Sequence, residues 1–226
     1  MAKFIRRSLI FCTFFVASAA LALLLTALGT KHWAEAGAKR LKNPVESDGK
    51  IHFGLFEGKK ELNVAYGWRT YEINVINMLK YEPQFLNYWL WLGTVSTLCA
   101  SLLFATFSVV FAVVNTTTTT QRWMTKVSGL MLWNFLTLLG ALCGIGFWLV
   151  QHYTKVQYNV LSREDMSNEW TSDGMADLGY SFWFVVGAAS ASFVNIVLLI
   201  ISTTEKDIET VIPVLEEKTN GAIMLY

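Results

Sequence analysis

The sequence predicts an all-α membrane protein, a bundle of four transmembrane helices carrying a small extracellular β-sheet folded from the first outer loop. Three observations predict it. The chain of 226 residues is 54% hydrophobic and only 15% charged, where soluble domains carry about a quarter charged residues. Four stretches hold no Lys, Arg, Asp or Glu, residues 8–30, 83–121, 127–154 and 178–204, and each exceeds the roughly 20 apolar residues needed to cross a bilayer. Between the first two, Thr30 to Glu82 gathers nine Lys/Arg and seven Asp/Glu among short aromatic and β-branched runs.

Backbone groups in lipid must be satisfied within their own segment, so each stretch is read as a helix. Spans are expected near 8–29, 88–113, 127–150 and 179–202. Outer loops then fall at 30–87 and 151–178 and a cytoplasmic tail at 203–226, in a single tetraspan membrane domain over 1–226.

Lys3, Arg6 and Arg7 precede the first span without an acid. A basic start followed by an apolar run also suits a signal peptide, with Ala17-Ser18-Ala19 as the small-residue site. The run is longer than the core of about 7–15 residues that such a peptide uses, so an uncleaved helix is expected. With the N-terminus inside, the outer segments hold eleven Lys/Arg and the cytoplasmic ones seven. Long loops translocate despite their charge and the first helix usually dominates, so both termini are placed in the cytoplasm and the chain in the plasma membrane.

In the first loop, Ile51 to Phe56 and Asn63 to Val75 suggest short strands separated by Gly and Asn-Pro, a small antiparallel sheet. Glu72 to Lys80 could alternatively form a helical turn, with Ile73, Ile76, Met78 and Leu79 on one side. Trp33 and Trp68 are expected between this sheet and the helix tips, with Trp33 and Phe56 as the bulkiest apolar groups at its base. Tyr88, Trp89 and Trp91 open the second span and Tyr180, Phe182 and Trp183 the fourth, where aromatic side chains favour the membrane–water interface. Asn115-Thr116-Thr117 matches a glycosylation acceptor but falls on the cytoplasmic side. The linker of about 13 residues after the second span makes the second and third spans antiparallel neighbours.

The third span contains Gly140-Ala141-Leu142-Cys143-Gly144, small residues four apart that let helices approach closely. Asn134 and Asn195 are the amides deep in the bilayer. A transport site would use such residues, but an interhelical hydrogen bond is the preferred reading; no acid or base lies deep in a span to serve an ion relay. Cys12, Cys99 and Cys143 all lie in apolar runs and are read as small packing residues. After the third span, Val156, Val160 and Leu161 fall at helical spacing, and Asn168 to Gly174 turns the chain back. The tail is net acidic and ends Met224-Leu225-Tyr226, apolar residues at alternate positions before a carboxylate. That suits capture by a PDZ-type scaffold domain through strand addition; insertion of the same residues into the membrane surface is the alternative.

No catalytic, cofactor or metal site is expected. His32, His52 and His152 are isolated, Gly54-x-x-x-Gly58 lacks the Lys-Ser/Thr of a phosphate loop, and no serine stands in a Gly-x-Ser-x-Gly setting. With no basic run longer than a pair, nucleic-acid binding is not expected either.

Leu28-Gly29-Thr30-x-x-Trp33 followed by Gly54-Leu55-Phe56 resembles the claudin and peripheral-myelin-protein superfamily. Claudins carry a Gly-Leu-Trp and two cysteines in this loop; here Phe56 stands at the Trp position and the cysteines are absent. The chain is more similar to the clarins, through Ala27-Leu28-Gly29-Thr30 with Trp33, Gly54-Leu55-Phe56-x-Gly58, Trp133-Asn134, Leu161-Ser162, Ser181-Phe182-Trp183 and the end Met224-Leu225-Tyr226. That resemblance implies a claudin-like tetraspan fold and a non-enzymatic protein of sensory cells, linked to hearing and vision, that organises actin-linked membrane assemblies or trafficking. Its implied partners are the lipid bilayer, a PDZ-domain scaffold, and actin-linked or channel proteins. The alternatives are a claudin-type adhesion or barrier protein at cell junctions and an auxiliary subunit of an ion channel.

Overall fold

The computed structural model of the chain describes residues 2–63, 67–117 and 127–223, with side chains at 8–9, 11–63, 67–115 and 127–204. In chain order the elements are α1 (Ala2–Gly29), β1 (Ala34–Arg40), β2 (Gly49–Phe53), β3 (Glu57–Asn63), β4 (Trp68–Asn74), α2 (Val75–Tyr81), α3 (Tyr88–Thr117), α4 (Val127–Gln151), a π-helical turn (His152–Val156), α5 (Arg163–Ser167), β5 (Trp170–Thr171), β6 (Ala176–Leu178) and α6 (Tyr180–Ile223). Four of the helices, α1, α3, α4 and α6, are long and apolar enough to cross a membrane. The expected claudin-like four-helix bundle with a small antiparallel sheet is the fold.

The bundle is held along a seam of small and polar residues. On α3 the buried positions are Trp91, Thr94, Leu98, Ser101, Ala105, Ser108, Ala112 and Asn115. On α4 they include Leu130, Asn134, Thr137, Ala141, Gly144, Trp148 and Gln151; on α6, Ser181, Val185, Ala188, Ser192, Asn195, Leu199 and Ser202; and on α1, Thr13, Ala17, Ala20, Leu24 and Ala27. Every set advances by alternating steps of three and four. That period of 3.5 keeps one stripe of each helix facing its neighbours when the bundle supercoils to the left. α3 packs on α4 and α1 on α6, and contacts of α1 with α3 and of α4 with α6 close the ring.

Gly140 and Gly144 lie against α3. A Cβ on Gly144 would stand 2.8 Å from Leu98 Cδ2, and one on Gly140 3.0 Å from Ser101 Cβ. Gly144→Leu therefore forces the two helices apart and is expected to cost about 1–3 kcal/mol, the usual penalty of overpacking. In a chain of this size that lowers the melting temperature by about 2–4 °C per kcal/mol. Unchanged thermal unfolding in detergent would refute the close contact. Deeper in the seam, Asn195 Nδ2 donates to Asn134 Oδ1 at 2.8 Å. Asn134 Nδ2 in turn donates to Ser108 Oγ at 2.7 Å and to the Leu130 carbonyl at 2.8 Å. Two amides and a hydroxyl thus tie α3, α4 and α6 together.

The sheet differs from the expectation in two respects: it is built from both segments that join the spans, and two of its strands, β1 and β3, fall outside the runs expected to form it and hold no aromatic or β-branched residue. Its strand order is β4-β3-β2-β1-β5, with β6 also paired to β1, and every pairing is antiparallel. Two short strands of the second segment complete the free edge of β1. Inward positions on β1 and β2 are Ala34, Ala36, Ala38, Ile51 and Phe53, all buried; Glu35, Lys39 and Lys50 alternate with them on the outer face. The chain then forms α2, whose N-cap Asn74 accepts a hydrogen bond from the Asn77 amide at 3.0 Å.

Two further expectations are corrected. Cys12, Cys99 and Cys143 are exposed on the outside of the bundle and pack no core, because the seam is occupied by residues at other heptad positions. Trp68 is 51% exposed, since β4 is the outermost strand of the sheet and has no helix tip beneath its start. Beyond the expected fourth span the backbone of α6 stays helical to Ile223, although Pro213, which has no amide hydrogen to give the helix, falls within that stretch.

Candidate functional site

The stretch from Leu28 to Trp33 resolves into a knot where three elements meet. α1 ends at Gly29, leaving its last carbonyls without helical partners. The Trp33 indole donates to one of them, the Ala27 carbonyl, at 2.7 Å. Trp33 is fully buried and meets Trp148 of α4 edge to face, centroids 5.0 Å apart. Its backbone amide donates to the Phe53 carbonyl at 2.8 Å, its own carbonyl accepts from the Gly179 amide at 3.1 Å, and the His32 carbonyl accepts from the Ser181 amide at 3.0 Å. Thr30 and Ser181 share a hydroxyl–hydroxyl bond of 2.6 Å. One short turn therefore joins the end of the first span, the end of β2 and the start of the fourth span.

Gly54 belongs to the same knot. A Cβ there would overlap the Thr30 carbonyl oxygen and stand 2.9 Å from Lys31 Cα, and one on Gly58 would overlap Phe53. Both glycines mark backbone brought close to backbone. Leu55 is buried and its carbonyl accepts a 2.8 Å hydrogen bond from the Trp91 indole, which pins the β2–β3 turn to the head of α3. Phe56 is 39% exposed and only edges against Trp91, centroids 6.4 Å apart. The base of the sheet is filled instead by Trp33, Phe53, Phe85 and Trp148. Strand alternation explains the exchange, since Phe53 points into the core at the last position of β2 while Phe56 sits in the turn beyond it.

A second group escaped the sequence reading. Lys60 points inward on β3, its cross-strand partners being Ile51 and Tyr71. Its ammonium pairs with the Asp165 carboxylate, the two side chains being 15% and 12% exposed, and lies 5.0 Å from the centre of the Tyr71 ring. Asp165 Oδ2 also accepts from the Ser162 hydroxyl at 2.6 Å, within a capping box at the start of α5. The pair locks the second outer segment to the sheet. The Ser162-x-x-Asp165 spacing is a capping-box signal that could have been noticed; nothing in the sequence links it to a lysine 105 residues away.

The face of the sheet turned away from the helices carries a row of polar and charged side chains. Cross-strand pairing places Asp177, Glu35, His52, Lys59 and Glu72 side by side. Around them run surface ion pairs: Lys31 with Glu57 at 2.5 Å, Lys59 with Glu61 at 2.6 Å and Lys42 with Glu169 at 2.6 Å. The Glu57 hydrogen bond raises the Lys31 pKa, and the Lys59 hydrogen bond lowers that of Glu61. Among the described residues no group of three His, Cys, Asp or Glu side chains is placed to hold a metal. Met224, Leu225 and Tyr226 lie outside the described residues.

A family model described as Clarin-2-like matches residues 5–200 of this sequence. The chain belongs to the clarin family. The match spans all four membrane helices and both outer segments, so the fold, the Trp33 knot and the Lys60–Asp165 lock all fall within it. None of the curated proteins with which the chain was compared matches it. This clarin is accordingly a multi-pass tetraspan membrane protein.

Proposed function

We propose that this clarin is a non-enzymatic organiser of membrane assemblies, which meets partners on its outer sheet and connects through its tail to actin-linked or trafficking machinery in sensory cells. The observation that carries the reading is the seat of the sheet. It is bonded to α1, α3 and α6 through Trp33, Leu55 and Gly179 and locked to the second outer segment through Lys60 and Asp165. A surface held that firmly offers a fixed pattern of charge, which favours selective protein contacts. The plasma membrane with both termini cytoplasmic is the arrangement that lets the sheet face outward.

Proximity labelling from each face of the membrane tests the proposal, using a labelling enzyme fused at either terminus and a membrane-impermeant reagent outside. Actin-linked and scaffold proteins should be enriched inside, and epitope tags at residues 1 and 226 should stain only after permeabilisation. Adhesion between cells that express the protein would favour a claudin-type role instead, and altered currents on co-expression with a channel an auxiliary subunit.

The tail is proposed to bind a PDZ-type domain, Met224 and Tyr226 entering its groove on alternate sides of an added strand. A peptide of the last ten residues should bind at about micromolar affinity, roughly −8 kcal/mol. One glycine appended after Tyr226 moves the carboxylate and inverts the side-chain register, so it should abolish binding. Equal binding by the two peptides would exclude the motif.

A further inference from the structure

His32 and His52 lie face to face, ring centroids 4.2 Å apart and planes within 4°. Tyr180 also stacks on His32, at 4.7 Å. The three rings come from different pieces of the fold: His52 from β2, His32 from the turn between α1 and β1, and Tyr180 from the first residue of α6. They lie beside the backbone bonds by which the sheet joins the first and fourth spans. An open cavity of about 360 Å³, lined by both histidines with Glu35, Asp48, Lys50 and Asp177, brings solvent to the stack.

We propose that this stack is a proton-operated latch: it holds the sheet on the ends of α1 and α6 while His52 is neutral, and it loosens when His52 takes up a proton. Histidine is the side chain whose charge ordinarily changes between about pH 5 and 8. A proton on His52 places a charge against the face of the stacked His32 ring and beside Lys59, where countercharge is thin. Glu35 Oε1 is 3.0 Å from His32 Nδ1, and the same residue is the cross-strand partner of His52, so one carboxylate serves two rings. Its other neighbour, Asp177 on β6, is the remaining acid of that row on this side. On the far side of His52 stands Lys59 of β3, a like charge, with Glu61 two residues further along the strand. Lys50 and Asp48 complete the charged lining on β2 and its approach.

Burial, and then the neighbouring His32, hold His52 below its ordinary value; Glu35 and Glu61 oppose this and Lys59 adds to it. The sign follows. The seated sheet resists protonating His52, while the released strand takes up its proton at the ordinary value near 6.5. The latch is therefore complete above about pH 6.5, weakens as pH falls through that value, and levels off below the lowered one. Each extra proton bound by the released form shifts the equilibrium by up to about tenfold per pH unit. The latch depends on the geometry of the sheet and not on which partner the sheet meets.

Hydrogen exchange on the full chain in lipid nanodiscs tests this, at about pH 7.5 and about pH 5.5, either side of the histidine range. Exchange in β1, β2 and β6 is read relative to α3 and α4 of the same molecules, which removes the intrinsic effect of pH. Relative protection of the three strands should fall on acidification in the wild type, by at most about tenfold for each pH unit between the ordinary and the lowered value. It should stay constant in His52→Phe, which keeps a stackable ring without a titrating nitrogen, and in His52→Gln, which keeps polarity without charge. No relative loss in the wild type, or the same loss in the wild type and His52→Phe, would overturn the latch.

Discussion

Trp33→Ala is expected to destabilise the protein by about 3–5 kcal/mol, the range for deleting a fully buried aromatic side chain. Total domain stabilities are about 5–15 kcal/mol, so the variant should lose its cooperative unfolding in detergent at ordinary temperature and be retained in the secretory pathway. The size of the effect comes from three losses at one position. The indole fills the space beside Trp148, it satisfies the Ala27 carbonyl at the end of α1, and it holds the turn whose backbone receives β2 and delivers α6. Trp33→Phe keeps most of the apolar volume and gives up the indole donation, so it should cost distinctly less. Phe56→Ala should be milder still, because Phe56 is half-buried and touches the core only through Trp91. Normal delivery and stability of Trp33→Ala, combined with loss of labelled partners, would make Trp33 a contact residue instead of an anchor.

Asp165→Ala should cost about 3–5 kcal/mol, the usual penalty for removing one member of a buried ion pair. Lys60 would be left facing the inner side of the sheet without a countercharge, and α5 would lose its capping box. Replacing both partners by apolar residues, Lys60→Met with Asp165→Leu, should recover much of the stability, since such pairs contribute little net energy once their desolvation is counted. The comparison forms a double-mutant cycle read by thermal unfolding. Additive losses in the double variant would mean that the two groups do not act on each other.

The four spans and the presence of a sheet in the first loop were legible because each has a local signal. Charge-free runs mark the spans, aromatic and β-branched runs mark β2 and β4 while β1 and β3 hold none of these residues, and small residues four apart mark the contact that Gly140 and Gly144 make with α3. The packing seam was less visible for a reason particular to membranes. Lipid is as apolar as a core, so hydrophobic periodicity does not tell the inside of a span from the outside. The informative period belongs to the small and polar residues, as in Thr94, Ser101, Ser108 and Asn115 on α3, seven apart and all buried. Cys12, Cys99 and Cys143 were misplaced because small size alone was used, without that register.

Other features had no local signal at all. Whether Phe53 or Phe56 enters the base of the sheet depends on where β2 ends, a shift of a few residues that reverses which side chain points inward. Lys60 reads as one of several lysines in a charged strand; it is buried only because the second outer segment brings Asp165 beneath it. The addition of β5 and β6 to the free edge of β1 likewise depends on two short stretches too small to be called strands by themselves.

The sequence by itself determined that this chain has four helices fit to cross a membrane, that nearly half of its charge lies in the loop between the first two, and that this loop contributes a sheet. Those properties follow from solvation, since apolar runs and charged runs sort into lipid and water wherever they occur in the chain. Only the tertiary structure decided which residues anchor the sheet, how Lys60 finds Asp165, and that His32, His52 and Tyr180 form one stack. Each of those contacts joins groups from separate elements, and their distances are set by how the helices pack and by the strand register, which no single stretch of sequence contains.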